Sequence, residues 1–348
     1  MSAAPQRPPQ RPPALCAETE TRPDPVSVPE GHGRALPLRV GTRASPLALW
    51  QTRHFLSIVT RFCPVLREAG AFQEHPIRTT GDRVQDRPLA EIGGKGLFAK
   101  EIHEALLDGQ VDFAVHSLKD LETELPPGIV LACTLEREDP RDAIILGPVC
   151  GAPDRTDPLA CIPHGALVGT ASVRRQSQVL AMRPDLRCEV IRGNIQTRLG
   201  RVRNGDFAAS FLALAGLRRM GLEREAGVLL DPGMMLPAAC QGIVGVTVRA
   251  RDVELHELLA AIEDREARIV ATAERALLGA LDGSCRTPIG AYAQLGADGV
   301  VRLTGLIARP DGSYLLRDSI EGPAMEAERL GRTLGERLRR EAPADILA

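Results

Sequence analysis

The sequence predicts a multidomain α/β protein: two α/β domains of related design, then a C-terminal α+β domain built on a three-stranded antiparallel sheet. Three observations predict it. Short apolar runs alternate with amphipathic stretches through roughly the first 260 residues, the pattern of mainly parallel or mixed sheets covered by helices. "VGTRAS" (40–45) is echoed by "VGTAS" (168–172), and each copy closes a strand and opens a helix. From about residue 263 the pattern changes to a helix, three strands joined by "GADG" and "RPDG" turns, and a final amphipathic helix. The expected division is an extension over 1–36, a first domain over 37–140 with 241–262, a second over 141–240 and a third over 263–348.

The extension carries eight prolines before Gly31 and lacks the apolar core of a signal peptide. So many prolines prevent an amphipathic helix, so disorder is expected. "LPLRVGT" (36–42) reads as a strand, followed by Ser45 as N-cap and Pro46 at the first helical position. The helix behind it shows an apolar face through Leu49, Trp50, Ile58 and Phe62. "GLFAKEIHEALLDG" (96–109) reads as a helix ended by Gly109, and "VDFAVHS" (111–117) as a buried strand in which His116 is a packed residue. "LKDLETELPPG" leaves the C-terminal end of that strand. In the second domain "ALVGT" (166–170) and "CEVIRG" (188–193) read as strands, Ser172 and Asn194 as helix N-caps, and "FAASFLALAG" (207–216) as a strand. The third domain reads as a helix over 265–281, the strands "IGAYAQL", "VVRLTGLIA" and "SYLLRDSIE", and a helix over 324–341.

Composition excludes several classes. A net charge of −2 argues against a nucleic-acid-binding protein. No run approaches the ~18 apolar residues of a membrane span. The eight cysteines form no CxxC pair and no zinc-type spacing with histidine, so reduced thiols of a cytoplasmic protein and no metal are expected. "GGKGLF" lacks the spacing and the Ser or Thr of a phosphate-binding loop, so no nucleotide is expected there.

The chain has three lysines, Lys95, Lys100 and Lys119, against forty arginines. Positions that keep lysine in so arginine-biased a chain point to a need for a compact ammonium. Arg43, Arg174, Arg175, Arg192 and Arg198 all fall at strand ends or in the first turns of helices. Guanidinium forks there, with helix N-termini, would grip carboxylates. A solvated arginine surface is the other reading. Asp120, at the end of an apolar strand, reads either as a group that stabilises a substrate cation and moves protons or as half of a loop ion pair. Cys285, in "LDGSCRTPIG", has an arginine beside it but no evident base, so the local sequence assigns it no chemistry. From the residues alone, an enzyme, a non-catalytic carboxylate-binding protein and a thiol enzyme all remain open, the last disfavoured by the missing base.

The chain resembles the porphobilinogen deaminase family from about residue 38 to its end. The resemblance is carried by "VGTRASPLALWQT", "TTGD", "GGKGLFAKEI", "DFAVHSLKDLETELPPG", "EREDPRDA", "VGTASVRRQSQ", "IRGNIQTRL", "LAGLRRMG", "LPAACQGIVGV" and "GSCRTPIGAYA". It implies two lobes like those of periplasmic binding proteins and a third domain that carries the cofactor. It implies an enzyme that joins four porphobilinogen molecules head to tail into linear hydroxymethylbilane, releasing ammonia, in the synthesis of haem and related pigments. The implied cofactor is one dipyrromethane per chain, in thioether linkage to the cysteine matching Cys285. Asp120 matches the catalytic aspartate. Arg43, Ser45, Lys119, Thr123, Thr170, Ser172, Arg174, Arg175, Arg192, Arg198, Arg219 and Gln241 match cofactor- and substrate-binding positions, and Lys95 matches the mobile loop. A monomer that uses a small-molecule substrate, and neither nucleic acid nor membrane, is implied.

Three positions depart from the family pattern. Ala171 stands where serine is usual, removing one hydroxyl. Glu122 replaces a usual proline, which is expected to loosen its loop. Cys240 stands where glycine is common, which is expected to put a second thiol near the cleft.

Overall fold

The computed structural model describes residues 36–68, 70–83, 96–154, 156–281 and 287–346. The proline-rich extension, Lys95 and Cys285 lie outside the described residues. The first sheet contains β1 (Leu38–Arg43), β2 (Phe72–Ile77), β3 (Phe113–Ser117), β4 (Ile129–Thr134) and β10 (Val244–Arg249), in the order β2-β1-β3-β10-β4. β1 runs parallel to β2 and β3, whereas β10 runs antiparallel to β3 and β4. All six residues of β10 are buried, as expected for a strand covered on both faces. β2 contains Pro76, which the ladder tolerates because β2 is an edge strand.

The second sheet repeats the plan. It contains β5 (Asp142–Leu146), β6 (Leu167–Gly169), β7 (Arg187–Glu189), β8 (Ala209–Ala213) and β9 (Val228–Leu230), in the order β7-β6-β8-β5-β9. β6 is parallel to β7 and β8, and β5 is antiparallel to β8 and β9. The chain leaves β4 of the first sheet and enters the second as β5. It leaves β9 and re-enters the first as β10. The antiparallel strand of each sheet is thus the one formed immediately after a crossing. The echo between residues 40–45 and 168–172 places β1 and β6 at equivalent positions.

The helices obey local rules. Pro46–Phe62 opens with proline in its first turn under the Ser45 cap, whose hydroxyl accepts from the Ala48 amide. Val173–Met182 is capped by Ser172, Ile195–Arg203 by Asn194 and Arg265–Ala280 by Asp264. Several expected spans differ at their ends. The helix expected over 96–109 is Lys100–Leu107, preceded by a turn after Gly96, whose φ is +78°. The strand expected over 207–216 stops at Ala213, where its partner β5 begins, and Leu214–Arg219 turns into a helix. The strand expected over 188–193 pairs with β6 alone, so it lasts only three residues.

The third unit stacks helices Arg265–Ala280 and Ala327–Glu341 on a sheet of β11 (Ile289–Leu295), β12 (Val300–Ala308) and β13 (Leu315–Pro323), paired antiparallel in that order. A turn of 3-10 helix, Ala324–Glu326, leads into the second helix. The core of this unit also takes in Leu118, Leu121, Ala239, Cys240 and Ile243, which belong to the first sheet's loop and the return crossing. Arg137, in the first crossing, reaches the fully buried Glu274 through both Nη atoms (2.6 and 3.3 Å) and donates Nε to the Gln241 carbonyl. Glu274 also accepts the Cys240 and Ala293 amides.

The two helices touch through glycine. A Cβ on Gly331 would meet the Ala273 carbonyl and the Ala276 side chain, whereas one on Gly279 would meet nothing within 4 Å. Gly331→Ala should therefore lower stability by about 1–3 kcal/mol through overpacking. Gly279→Ala should raise it by about 0.5–1 kcal/mol, because Ala loses less backbone freedom in a helix. Denaturant midpoints of the two variants should move in opposite directions.

Candidate active site

The parallel strands of both sheets end at the site, where open α/β sheets bind ligands. β1 delivers Arg43. β3 delivers Lys119 and Asp120 on the 3-10 turn Leu118–Asp120. Arg43 Nη1 lies 3.3 Å from Asp120 Oδ2, and its other nitrogens hold Asp82. Phe98 packs under this guanidinium, 4.2 Å from its carbon to the ring centroid. Burial alone would lower the Arg43 pKa, but Asp82 and Asp120 raise it. Asp120 keeps 27% of its side chain exposed, so one face remains free to meet a ligand. A cavity of about 90 Å³ opens here, lined in part by Arg43, Ser45, Phe98, Ser117, Lys119 and Asp120.

From the second sheet, β6 ends at Gly169 and the next residues fold back on themselves. The Ser172 amide donates to Thr170 Oγ1 (3.1 Å), and Ser172 Oγ accepts from the Arg175 amide (3.4 Å). The sequence places Arg174 and Arg175 in a first helical turn, ready for an external anion. In the structure both are buried, and their terminal nitrogens are taken. Arg174 Nη2 and Arg175 Nη2 each hold one oxygen of Asp142 at 2.8 Å. Their Nη1 atoms donate to the carbonyls of Leu236 (2.6 Å) and Phe211 (2.8 Å). The Nε of each is buried without a partner among the described residues. Burial alone would raise the Asp142 carboxyl, but the two guanidinium groups hold it well below the usual carboxylate range.

Gln241 joins the halves. Its Nε2 donates to Asp142 Oδ1 (2.8 Å) and to the Pro140 carbonyl (2.7 Å), and its Oε1 accepts from Lys119 Nζ (3.2 Å). Burial and the neighbouring Arg175 bring the Lys119 ammonium down to about 8, against the pull of Asp120 and Asp142. Arg198 donates Nε to the Gly193 carbonyl, and burial with repulsion from Arg175 and Arg192 lowers it to about 10. Arg192 reaches across to the Gly81 carbonyl (3.0 Å). Arg219 has different partners: it donates to the Gly242 carbonyl (2.6 Å), burial lowers it to about 10, and Glu138 opposes that fall. The Thr123 carbonyl accepts from Arg275 (2.8 Å).

Among the described residues, six cations therefore meet three carboxylates here: Arg43, Lys119, Arg174, Arg175, Arg192 and Arg198 against Asp82, Asp120 and Asp142. Burial first, and this excess of positive charge second, disfavour the charged forms of Lys119 and Arg198 and bring both below their ordinary range. This excess suits a ligand that carries several carboxylates. Asp82, Phe98 and Asp142 were not assigned a role from sequence. The signal for Asp142 was available: an acidic residue opening the apolar run "DAIIL" must be paired if that strand is buried.

Two departures behave otherwise than expected. The loop at Glu122 is pinned, because Arg275 Nη2 donates to the carbonyls of both Glu122 (2.6 Å) and Thr123. The Cys240 thiol is not in the cleft: it lies 3.9 Å from the Ala271 carbonyl, and burial pushes it up to about 12. Cys240 has φ +61°, a left-handed backbone that accounts for a preference for glycine at that position.

Comparison with known proteins decides the family. Residues 38–257 match the model for "Porphobilinogen deaminase, dipyromethane cofactor binding domain", and residues 268–340 match "Porphobilinogen deaminase, C-terminal domain". The chain belongs to the porphobilinogen deaminase family. It is 47% identical over 313 residues to the porphobilinogen deaminase of Paracoccus denitrificans (strain Pd 1222), covering 89% of this chain and 96% of that one. Among solved structures it is similar to a double mutant of the VFT2 domain of Bordetella pertussis BvgS. That match has 15% identity and TM-score 0.38, over 69% of this chain and 92% of the other. It is also similar to a periplasmic sulfonate-binding protein from Methylobacillus flagellatus KT, with 13% identity and TM-score 0.37 over 69% and 68%. As a porphobilinogen deaminase the chain is a transferase of tetrapyrrole biosynthesis, built around a dipyrromethane cofactor. Among the described residues, no helix is long and apolar enough to cross a membrane.

Porphobilinogen carries carboxylates, so the state of Lys119 should show in its use. As the pH rises through about 8 the ammonium loses its proton and the crevice loses one positive charge. KM should then climb on the alkaline side. Lys119→Arg, whose guanidinium stays charged, should push that limb of the kcat/KM profile upward by about one pH unit or more. Identical alkaline limbs would exclude Lys119 as their origin.

Proposed function

We propose that Asp120 is the catalytic residue of this porphobilinogen deaminase and that Cys285 carries its dipyrromethane through a thioether. The observation that supports this reading most is the placement of Asp120, partly exposed beside Arg43 and next to Lys119, in a crevice with excess positive charge among the described residues. Each pyrrole unit brings two carboxylates, so four condensations accumulate negative charge that a cationic crevice must hold. Arg43, Lys119, Arg174, Arg175, Arg192, Arg198 and Arg219 are the residues for this, with Ser45, Thr123, Thr170, Ser172 and Gln241 as neutral partners. Arg174 and Arg175 would offer their Nε atoms while Asp142 holds their termini. Lys95, outside the described residues, falls in the motif that matches the family's mobile loop.

When bound, the dipyrromethane supplies the pyrrole carbon that attacks the incoming unit. Loss of ammonia from porphobilinogen leaves a cationic electrophile. The Asp120 carboxylate stabilises that cation, and its exposed oxygen accepts the proton released when the new carbon–carbon bond forms. Arg43 holds Asp120 in place. Cys285 needs no base beside it in this reading, because it attaches the primer and takes no part in later cycles. The chain divides functionally at 37–140 with 241–262, 141–240 and 263–348, and works as a cytoplasmic monomer.

The purified chain should be heavier than its sequence by one dipyrromethane, and Cys285→Ser should lose that mass. An unmodified parent chain that still consumes porphobilinogen would overturn the attachment. Asp120→Asn should keep fold and cofactor mass yet lower kcat by about 10²–10⁴. Turnover within a few-fold of the parent would remove Asp120 from catalysis.

A further inference from the structure

Asp142 is the first residue of β5, reached immediately after the first crossing, and its carboxylate is fully buried. Its oxygens accept hydrogen bonds from three side chains on two other segments. Arg174 and Arg175 come from the helix Val173–Met182, and Gln241 comes from the return crossing. Because Gln241 gives its two donor hydrogens to Asp142 and the Pro140 carbonyl, its amide is fixed with Oε1 toward Lys119 Nζ. The path from Asp142 to the residue beside Asp120 is therefore two hydrogen bonds long.

We propose that Asp142 is a positioning residue for the reaction: through the Gln241 amide it sets where Lys119 presents its ammonium beside Asp120, while it aims Arg174 and Arg175 into the crevice. This rests on the reading of Lys119 and Asp120 as the substrate site. A buried ion cluster contributes little stability over a well-packed apolar one, so its retention calls for another task. The groups that face Lys119 are Asp120 and Asp142, which favour its charge, and Arg174 and Arg175, which oppose it. Removing the Asp142 charge tips that balance against the ammonium. Removing the Gln241 acceptor takes away its one neutral support among the described hydrogen bonds.

Three lysines make the test direct. In holoenzyme with isotope-labelled lysine, Lys95→Arg and Lys100→Arg assign the Lys119 signal by elimination, and its titration is then followed by NMR. Relative to the parent, Asp142→Asn should lower the Lys119 midpoint by about one pH unit or more, the size expected of an opposite charge nearby. Gln241→Met should lower it as well, and the alkaline limb of kcat/KM should move with it in both. A folded Asp142→Asn protein in which Lys119 titrates as in the parent would overturn the proposal. Asp142→Asn strips the counter-charge from two buried arginines, so it can fail to fold. Gln241→Met, which leaves both arginine pairs intact, then decides: an unchanged midpoint there overturns the proposal equally. The titration needs no turnover. Full activity in Asp120→Asn would therefore remove the catalytic reading and leave the Lys119 shift standing.

Discussion

Each α/β sheet closes around a strand supplied by chain that has just arrived from the other sheet. β5 cannot form until the first crossing is made, nor β10 until the second. Both are central to the hydrogen-bonding of their sheets, with neighbours on either side. The two lobes are thus halves of one folding problem. The residues at the crossings, Arg137 to Asp142 and Pro232 to Gln241, are held by side-chain and backbone hydrogen bonds from three directions. Asp120, Lys119, Arg174 and Arg175 meet because this exchange of strands brings the parallel strand ends of the sheets to a common crevice.

The crevice is built with an unbalanced charge. Asp82 and Asp142 are spent on fixing arginines, and the remaining cations repel one another. Burial, and to a lesser degree that repulsion, lowers Lys119 and Arg198. A protein of net charge −2 can hold such a site only by enclosing it and giving each guanidinium a backbone carbonyl or a carboxylate to rest on. Carboxylate ligands would relieve that repulsion on binding, so the charge of the site suits a polyanion.

The sequence disclosed elements where the periodicity was long and capped. Pro46–Phe62 is legible from the Ser45 cap and the apolar face behind it, and Ile195–Arg203 from Asn194. Leu214–Arg219 was not legible, because "FAASFLALAG" is equally apolar as strand and helix, and only the length of its partner β5 ends the strand at Ala213. At the site, Asp120 and the arginines could be read as types of residue near strand ends. Their pairing could not: nothing local says that Arg174 and Arg175 share Asp142, about thirty residues earlier, or that Gln241 lies between Asp142 and Lys119. At Cys240 the sequence shows a thiol but not the left-handed backbone that governs the position. Its φ of +61° and its burial against Ala271 follow from the return crossing.

Glu274 has a consequence for how such proteins change over time. It stands on the first helix of the third unit, yet it is satisfied by Arg137 from the first crossing, by the Cys240 amide from the second, and by Ala293 from its own sheet. A third unit transplanted from another protein would import a buried carboxylate whose counter-ion stayed behind, or leave Arg137 facing an apolar wall. The unit therefore resists exchange as a cassette. Arg137 and Glu274, 137 positions apart in the chain, are coupled, because losing either one alone would leave the other without its counter-ion.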